Sequence, residues 1–279
     1  MKPKLIELEE AGISIPILYE DRSLLALDKP AGWMLAPDSW DRTGRNLQLA
    51  LQSSLNARDF WARSRSLKFL RFIHRLDAET SGITLFAKSP GALRAYSEMF
   101  EDRRVEKYYL AVVHGLPKQR EWICRFALGP DPCIKGRMRA AREERPPAIM
   151  RDDFDPPRRE RRSQQDWKDA ETRFRVIQTA KDTALIEAQP LTGRTHQIRV
   201  HLASAGLPVV GDPLYGKDPS VASKGRQRLA LRAVRLACRD PFQGRRIFIE
   251  APTAEFLQEF GFGKVALPQL PDEGGKIKT

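Results

Sequence analysis

Cysteine is scarce in this chain of 279 residues: Cys124, Cys133 and Cys238 stand far apart, with no Cys-x-x-Cys pair. That excludes a disulfide framework and a cysteine-rich zinc cluster, and it fits a reducing compartment, so a cytoplasmic location is expected. No run approaches the ~18 apolar residues that a membrane span needs, and the start, Met1-Lys2-Pro3-Lys4, puts charge where a signal peptide is apolar. A soluble protein without a membrane partner is expected. Histidine is rare, and the spacing of His196 and His201 gives no i, i+4 metal pair. There is no Gly-x-x-x-x-Gly-Lys-Ser/Thr loop, no Gly-x-Gly-x-x-Gly after a strand, no Gly-x-Ser-x-Gly elbow and no zinc-deaminase signature. A nucleotide cofactor, serine hydrolysis and zinc deamination drop out.

What the chain has in excess is positive charge: 48 Lys+Arg against 36 Asp+Glu, a formal balance of +12. Such a surplus favours a polyanionic partner through phosphate neutralisation and steering, although it says nothing about a reaction. With 41% apolar residues the chain can also bury a real core.

Residues 16–28 read as two short strands around a Glu-Asp-Arg turn, stopped by Lys29-Pro30-Ala31-Gly32. Leu47, Leu51 and Leu55 recur at helical spacing, and basic and apolar residues interleave from Arg63 to Arg75. Ile83–Ala87 predicts a buried strand; Ser89 and Pro90 then open a helix with Leu93, Tyr96, Met99 and Phe100 on one face. Further strands are expected over Tyr108–Val113, Thr172–Ile177 and Thr183–Ala188. Between Asp131 and Arg162, paired prolines and many charges predict an inserted loop without a packed element. It reads either as a solvated loop or as an arm for RNA. The order of elements indicates α+β rather than a parallel βαβ sheet. An N-terminal arm (1–15), a catalytic unit (16–262) and a flexible tail (263–279) are expected.

Three segments carry chemistry. In Phe72-Ile73-His74-Arg75-Leu76-Asp77-Ala78-Glu79-Thr80-Ser81-Gly82, a carboxylate beside cations at the mouth of a strand suits a nucleophile or base, but composition equally fits Asp77 as a turn cap. In Lys107-Tyr108-Tyr109-Leu110-Ala111, strand alternation sets Lys107 and Tyr109 on one face and Tyr108 on the other, so one tyrosine is free to face a site. In Gly193-Arg194-Thr195-His196-Gln197-Ile198-Arg199-Val200-His201, Thr195 is placed to cap a helix ended by Gly206, with His196 and Arg199 sharing a face. The alternative there is a helix with a solvated basic stripe.

Together, His74-Arg75-Leu76-Asp77-x-x-Thr80-Ser81-Gly82, Lys107-x-Tyr109-x-Ala111-x-Val113-x-Gly115 and Gly193-Arg194-Thr195-His196-Gln197-Ile198-Arg199-x-His201 resemble the RluA-type pseudouridine synthases. Gly211-Asp212-Pro213-Leu214-Tyr215-Gly216 and Arg228-Leu229-Ala230-Leu231 support the match. The resemblance implies a mixed, mostly antiparallel sheet with a central cleft, and an enzyme isomerising uridine to pseudouridine in structured RNA, ribosomal or transfer, without a cofactor. It implies Asp77 as catalytic aspartate, Arg199 as the cation that keeps it ionised, Tyr109 packed on the target base for proton transfer at C5, and Arg75 filling the space of the flipped nucleotide. His74, Arg194 and His196 are expected on the RNA-binding surface; His74 and His196 gain no role beyond shaping these loops. A monomer lacking the N-terminal RNA-binding domain of some relatives is expected. Arg232 stands where relatives often have histidine. The rival reading is a non-catalytic RNA-binding or ribosome-assembly factor on the same scaffold.

Overall fold

A computed structural model describes residues 4–35, 45–144, 167–216 and 228–268. The hairpin forms from β2 (Ile13–Glu20) and β3 (Leu24–Lys29), with the Asp21 carboxylate closing the turn by accepting the Ser23 and Leu24 N–H groups. β1 (Leu5–Leu8), inside the expected arm, pairs with β2. α1 (Leu47–Asn56) buries Leu47, Leu51 and Leu55, and the Asn46 side chain caps it by accepting the Leu49 N–H. After α2 (Phe60–Arg63) and β4 (Arg71–Phe72) comes β5 (Ser81–Ala87), then α3 (Pro90–Glu101), capped by Ser89 as expected.

β6 (Glu106–His114), β7 (Glu121–Cys124) and β8 (Phe126–Pro130) follow. The expectation that residues 131–162 form no packed element is corrected by β9 (Met138–Glu144), which pairs antiparallel with β8. Its apolar positions explain this: Met138 and Ala140 pack against Leu128, Val200 and Tyr215. The paired prolines at 146–147 and 156–157 lie outside the described residues. The chain continues through β10 (Thr172–Thr179), β11 (Thr183–Pro190), α4 (Gln197–Ser204), β12 (Leu231–Arg239), β13 (Arg246–Glu250) and α5 (Ala254–Glu259).

Among the described residues, 11 strands form one sheet whose main path runs β1-β2-β3-β5-β12-β6-β11-β10-β7. The β5–β12 pair is parallel and the others described are antiparallel, which gives the α+β, mixed and mostly antiparallel sheet expected. That parallel seam joins two halves over just two registers, Ser81 with Arg232 and Gly82 with Ala233. At Gly82, φ is +108° and a Cβ would lie 2.1 Å from the Ala233 carbonyl oxygen, so no other residue fits. Arg232 braces the seam: its guanidinium donates to Asp28 at 2.7 Å, to the Pro252 carbonyl at 3.0 Å and to Ser81 Oγ at 3.3 Å.

One row therefore crosses five strands in register: Lys29, Gly82, Ala233, Tyr109 and Ala188. Small residues flank Tyr109 on both neighbouring strands, which leaves room beside its ring. α4 and α5 cover this half through Ile198, Leu202, Phe256 and Leu257. Val265 and Leu267, beyond residue 262, pack against the same cluster, and the Pro268 carbonyl accepts from Arg235. No helix among the described residues is long and apolar enough to cross a membrane.

Candidate active site

Asp77 lies on the loop between β4 and β5, directly before the seam. Its turn is fixed from both sides: the Thr80 N–H donates to the Asp77 carbonyl at 3.1 Å, while the Ala78 carbonyl accepts from the Gly32 N–H at 2.9 Å and from Lys29 Nζ at 2.8 Å. Lys29 is wholly buried and also donates to the Pro30 and Trp33 carbonyls at 3.0 and 2.7 Å. Burial pushes its ammonium down to about 7, opposed by the charges of Glu79 and Asp77. Three acceptors match its three N–H bonds, so the chain uses Lys29 as a strut beneath the loop.

Arg199 comes up from α4 on the other side. Its Nη1 donates to Asp77 Oδ2 at 3.2 Å, and Nε and Nη2 donate to the two Asp212 oxygens at 2.8 Å each. The side chain is 3% exposed and His201 is fully buried, so the solvated-stripe alternative fails. Burial acts to lower the Arg199 pKa, but the hydrogen bonds and charges of Asp212 and Asp77 outweigh it and raise it. The cation is permanent and is aimed by a bidentate fork. Asp212 is itself held because its Oδ1 accepts the Leu214 and Tyr215 N–H groups at 2.9 and 3.0 Å.

Tyr215 completes this side. Arg199 lies 5.1 Å and Arg137 5.4 Å from its ring centroid; its hydroxyl accepts the Met138 N–H at 2.8 Å and lies 2.9 Å from His196 Nδ1. His196, not Thr195, is the N-cap of α4, in a left-handed conformation with φ 56°. The expected cap moves by one residue because the Gln197 side chain takes over the loop, accepting from the Arg194 N–H and the Thr192 hydroxyl. Arg194 Nε donates to the Asp169 carbonyl at 2.9 Å.

Tyr109 reaches the same space from β6. It is buried, and burial followed by the Asp77 charge pushes its phenol up. Tyr108 faces away and donates to Glu106 at 2.9 Å. His74 stacks on Phe100 with centroids 4.6 Å apart, and its Nε2 accepts the Leu85 N–H at 3.2 Å. Burial, then the Lys107 charge, holds it down at about 3, so His74 is a neutral wall rather than a cation for RNA. Arg75 is exposed at the rim.

Asp77, Tyr109 and Arg199 thus converge on one cleft of about 650 Å³, whose walls include Arg75, Arg194 and His196. That volume suits a nucleotide. All seven residues named from the sequence line or adjoin it. Asp212, Lys29 and Tyr215 join the site without being singled out by the sequence: two lie in the Gly211–Gly216 segment that supports the resemblance, and Lys29 reads there as part of a strand stop. An acid directly after a glycine, in a segment otherwise without purpose, was the available signal. Among the described residues, no three His, Cys, Asp or Glu side chains gather as a metal site.

Residues 23–204 match the family described as RNA pseudouridylate synthase. The chain is 33% identical over 259 residues to the ribosomal large subunit pseudouridine synthase C of Vibrio vulnificus (strain CMCP6), covering 92% of this chain and 70% of that protein. It is 33% identical to the protein of the same name from Escherichia coli (strain K12), covering 89% and 69%. The solved structure of human RNA pseudouridylate synthase domain containing 1 superposes with a TM-score of 0.66 at 23% identity, covering 97% of this chain and 94% of the other.

Proposed function

This chain belongs to the RNA pseudouridylate synthase family, of RluA type, and is an RNA-modifying isomerase; from that premise we propose that Asp77 is its catalytic residue and large-subunit ribosomal RNA its substrate. The observation that carries the residue assignment is the buried Arg199 fork, which joins Asp77 to a second, inaccessible acid and leaves Asp77 as the one of the two open to the cleft. The substrate assignment rests on the names of the relatives.

The reaction breaks the bond from ribose C1′ to uracil N1, turns the base, joins C1′ to C5 and moves the C5 proton to N1, so nothing is gained or lost. Asp77 serves it either by attacking C1′ or by taking a neighbouring ribose proton. Arg199 orients that carboxylate. Tyr109, in contact range of a base held beside Asp77, carries the C5 proton step. The base has to leave the stack for its ribose carbon to reach Asp77 in the cleft, and Arg75 at the rim is placed to fill the gap.

The test is Asp77→Ala against wild type on a large-subunit ribosomal RNA transcript, with pseudouridine located by chemical mapping. Loss of at least about a thousand-fold in rate, with RNA binding retained, is expected. Retained turnover removes Asp77 from the mechanism, and wild-type activity confined to transfer RNA overturns the substrate.

A further inference from the structure

Two lysines lie close to the site and their surroundings differ. Lys29 spends its three N–H bonds on three carbonyls. The Lys107 ammonium, on a half-buried side chain in the cleft wall, takes part in no hydrogen bond or ion pair among the described residues. Its ammonium stands 5.6 Å from the Phe100 ring centroid, on the ring that His74 stacks against, and a Cβ at Gly193 would come within 3.8 Å of it. The other inner cations are committed, Arg199 to two carboxylates and Arg194 to the Asp169 carbonyl. A desolvated ammonium without an acceptor is costly unless a ligand supplies one.

Position says which ligand. Lys107 is two residues before Tyr109 on β6, hence on the same face and about 7 Å along the strand. That is the reach from a base packed on Tyr109 to a phosphate flanking the same nucleoside. Gly193 keeps the approach open, since a side chain there would project at the ammonium. We propose that Lys107, beside the His74–Phe100 stack and under Gly193, binds a backbone phosphodiester flanking the uridine that enters the cleft. The proposal rests on the RNA reading above and adds a subsite to it.

The experiment uses the full chain and the large-subunit ribosomal RNA fragment that wild type modifies. Lys107→Met is expected to weaken RNA binding about ten-fold and to lower the slope of log affinity against log salt by about 0.7, the contribution of one single-strand phosphate. Lys107→Arg is expected to keep the slope. A fragment with a neutral methylphosphonate on one side of the target uridine is expected to bind wild type more weakly and Lys107→Met no more weakly than the normal fragment does. Should Lys107→Met melt early, the methylphosphonate comparison between wild type and Lys107→Arg gives the answer, since both lose affinity only if the contact exists. Equal affinity and slope for wild type and Lys107→Met, or indifference of wild type to both methylphosphonates, would reduce Lys107 to packing on Phe100 and overturn the proposal. Absence of pseudouridine with wild type is a different failure, that of the proposed substrate.

Discussion

At the scale of single residues, the site is a chain of charges whose order matters more than its sum. Arg199 joins an accessible acid to a sealed one, and the two acids differ in place: Asp212 holds the guanidinium plane from inside, while Asp77 faces the cleft and is the acid proposed above to meet the substrate. Asp212→Asn keeps an oxygen for the Leu214 and Tyr215 N–H groups but removes the charge that anchors the fork. Pseudouridine formation is expected to fall about a hundred-fold with RNA affinity within a factor of a few, because a reactive group displaced by a fraction of its radius loses about that much. An unchanged rate under single-turnover conditions would show that Arg199 needs no anchor. His74 predicts a pH effect of definite sign. The folded chain keeps it neutral down to about 3, whereas the unfolded chain protonates near the ordinary value of about 6.5. Below that value the unfolded state binds the extra proton, so stability from this group is complete above about 6.5 and drains away as pH falls towards 3. Burial is the main cause, with the Lys107 charge adding to it, and Nε2 already accepts the Leu85 N–H at 3.2 Å. His74→Gln should therefore lose less thermal stability than wild type between pH 7 and pH 5; parallel losses in the two melting curves would place the acid sensitivity elsewhere.

Among the elements, the β5–β12 seam decides whether the site exists. Two parallel registers hold two half-sheets together, and Gly82 allows the strands to meet. Gly82→Ala sets a methyl against a backbone carbonyl at a positive φ and should cost at least about 2 kcal/mol, visible as a lower denaturation midpoint and a site that no longer binds RNA productively. A midpoint equal to wild type would mean that the strands slide apart at little cost. The same seam shows what was legible beforehand. Elements made by neighbours in sequence, such as the Ser89-capped helix and the hairpin closed by Asp21, follow from periodicity and turn chemistry and are found where expected. The pairing of residues 81–82 with 232–233 joins positions about half the chain apart, and no local pattern encodes it. Nor could composition distinguish an Asp77 turn cap from a catalytic acid; the ion pair with Arg199, 122 residues away, is what supports the second reading. β9 was hidden for another reason: its residues are charged and alternate with few apolar partners, so burial on one face against Leu128 and Val200 was needed to reveal a strand.

For the molecule as a whole, the +12 balance overstates what is available to RNA, because many of its arginines are occupied internally. Arg65 and Lys88 share Glu20, Arg232 holds Asp28 and Arg235 holds Glu187, all with little exposure, so these charges cement the fold. The cations left for a polyanion are those at the surface without an acid, and Arg63, Lys68, Arg71 and Arg103 are exposed and in no ion pair among the described residues. Arg103 also lines the cleft, next to Arg104, which is bound to Asp102 at 2.8 Å. Adjacent residues of equal charge thus differ in what they can offer. If RNA enters past Arg103, then Arg103→Glu should lower affinity for the ribosomal RNA fragment several-fold more than Arg104→Glu. The gap should close between ~50 and ~200 mM salt as counterion release weakens. Both variants should turn over normally once saturated, because neither side chain touches the reacting atoms. Equal losses at low salt would mean that the net field of the protein, rather than a track past the cleft mouth, brings the RNA to Asp77.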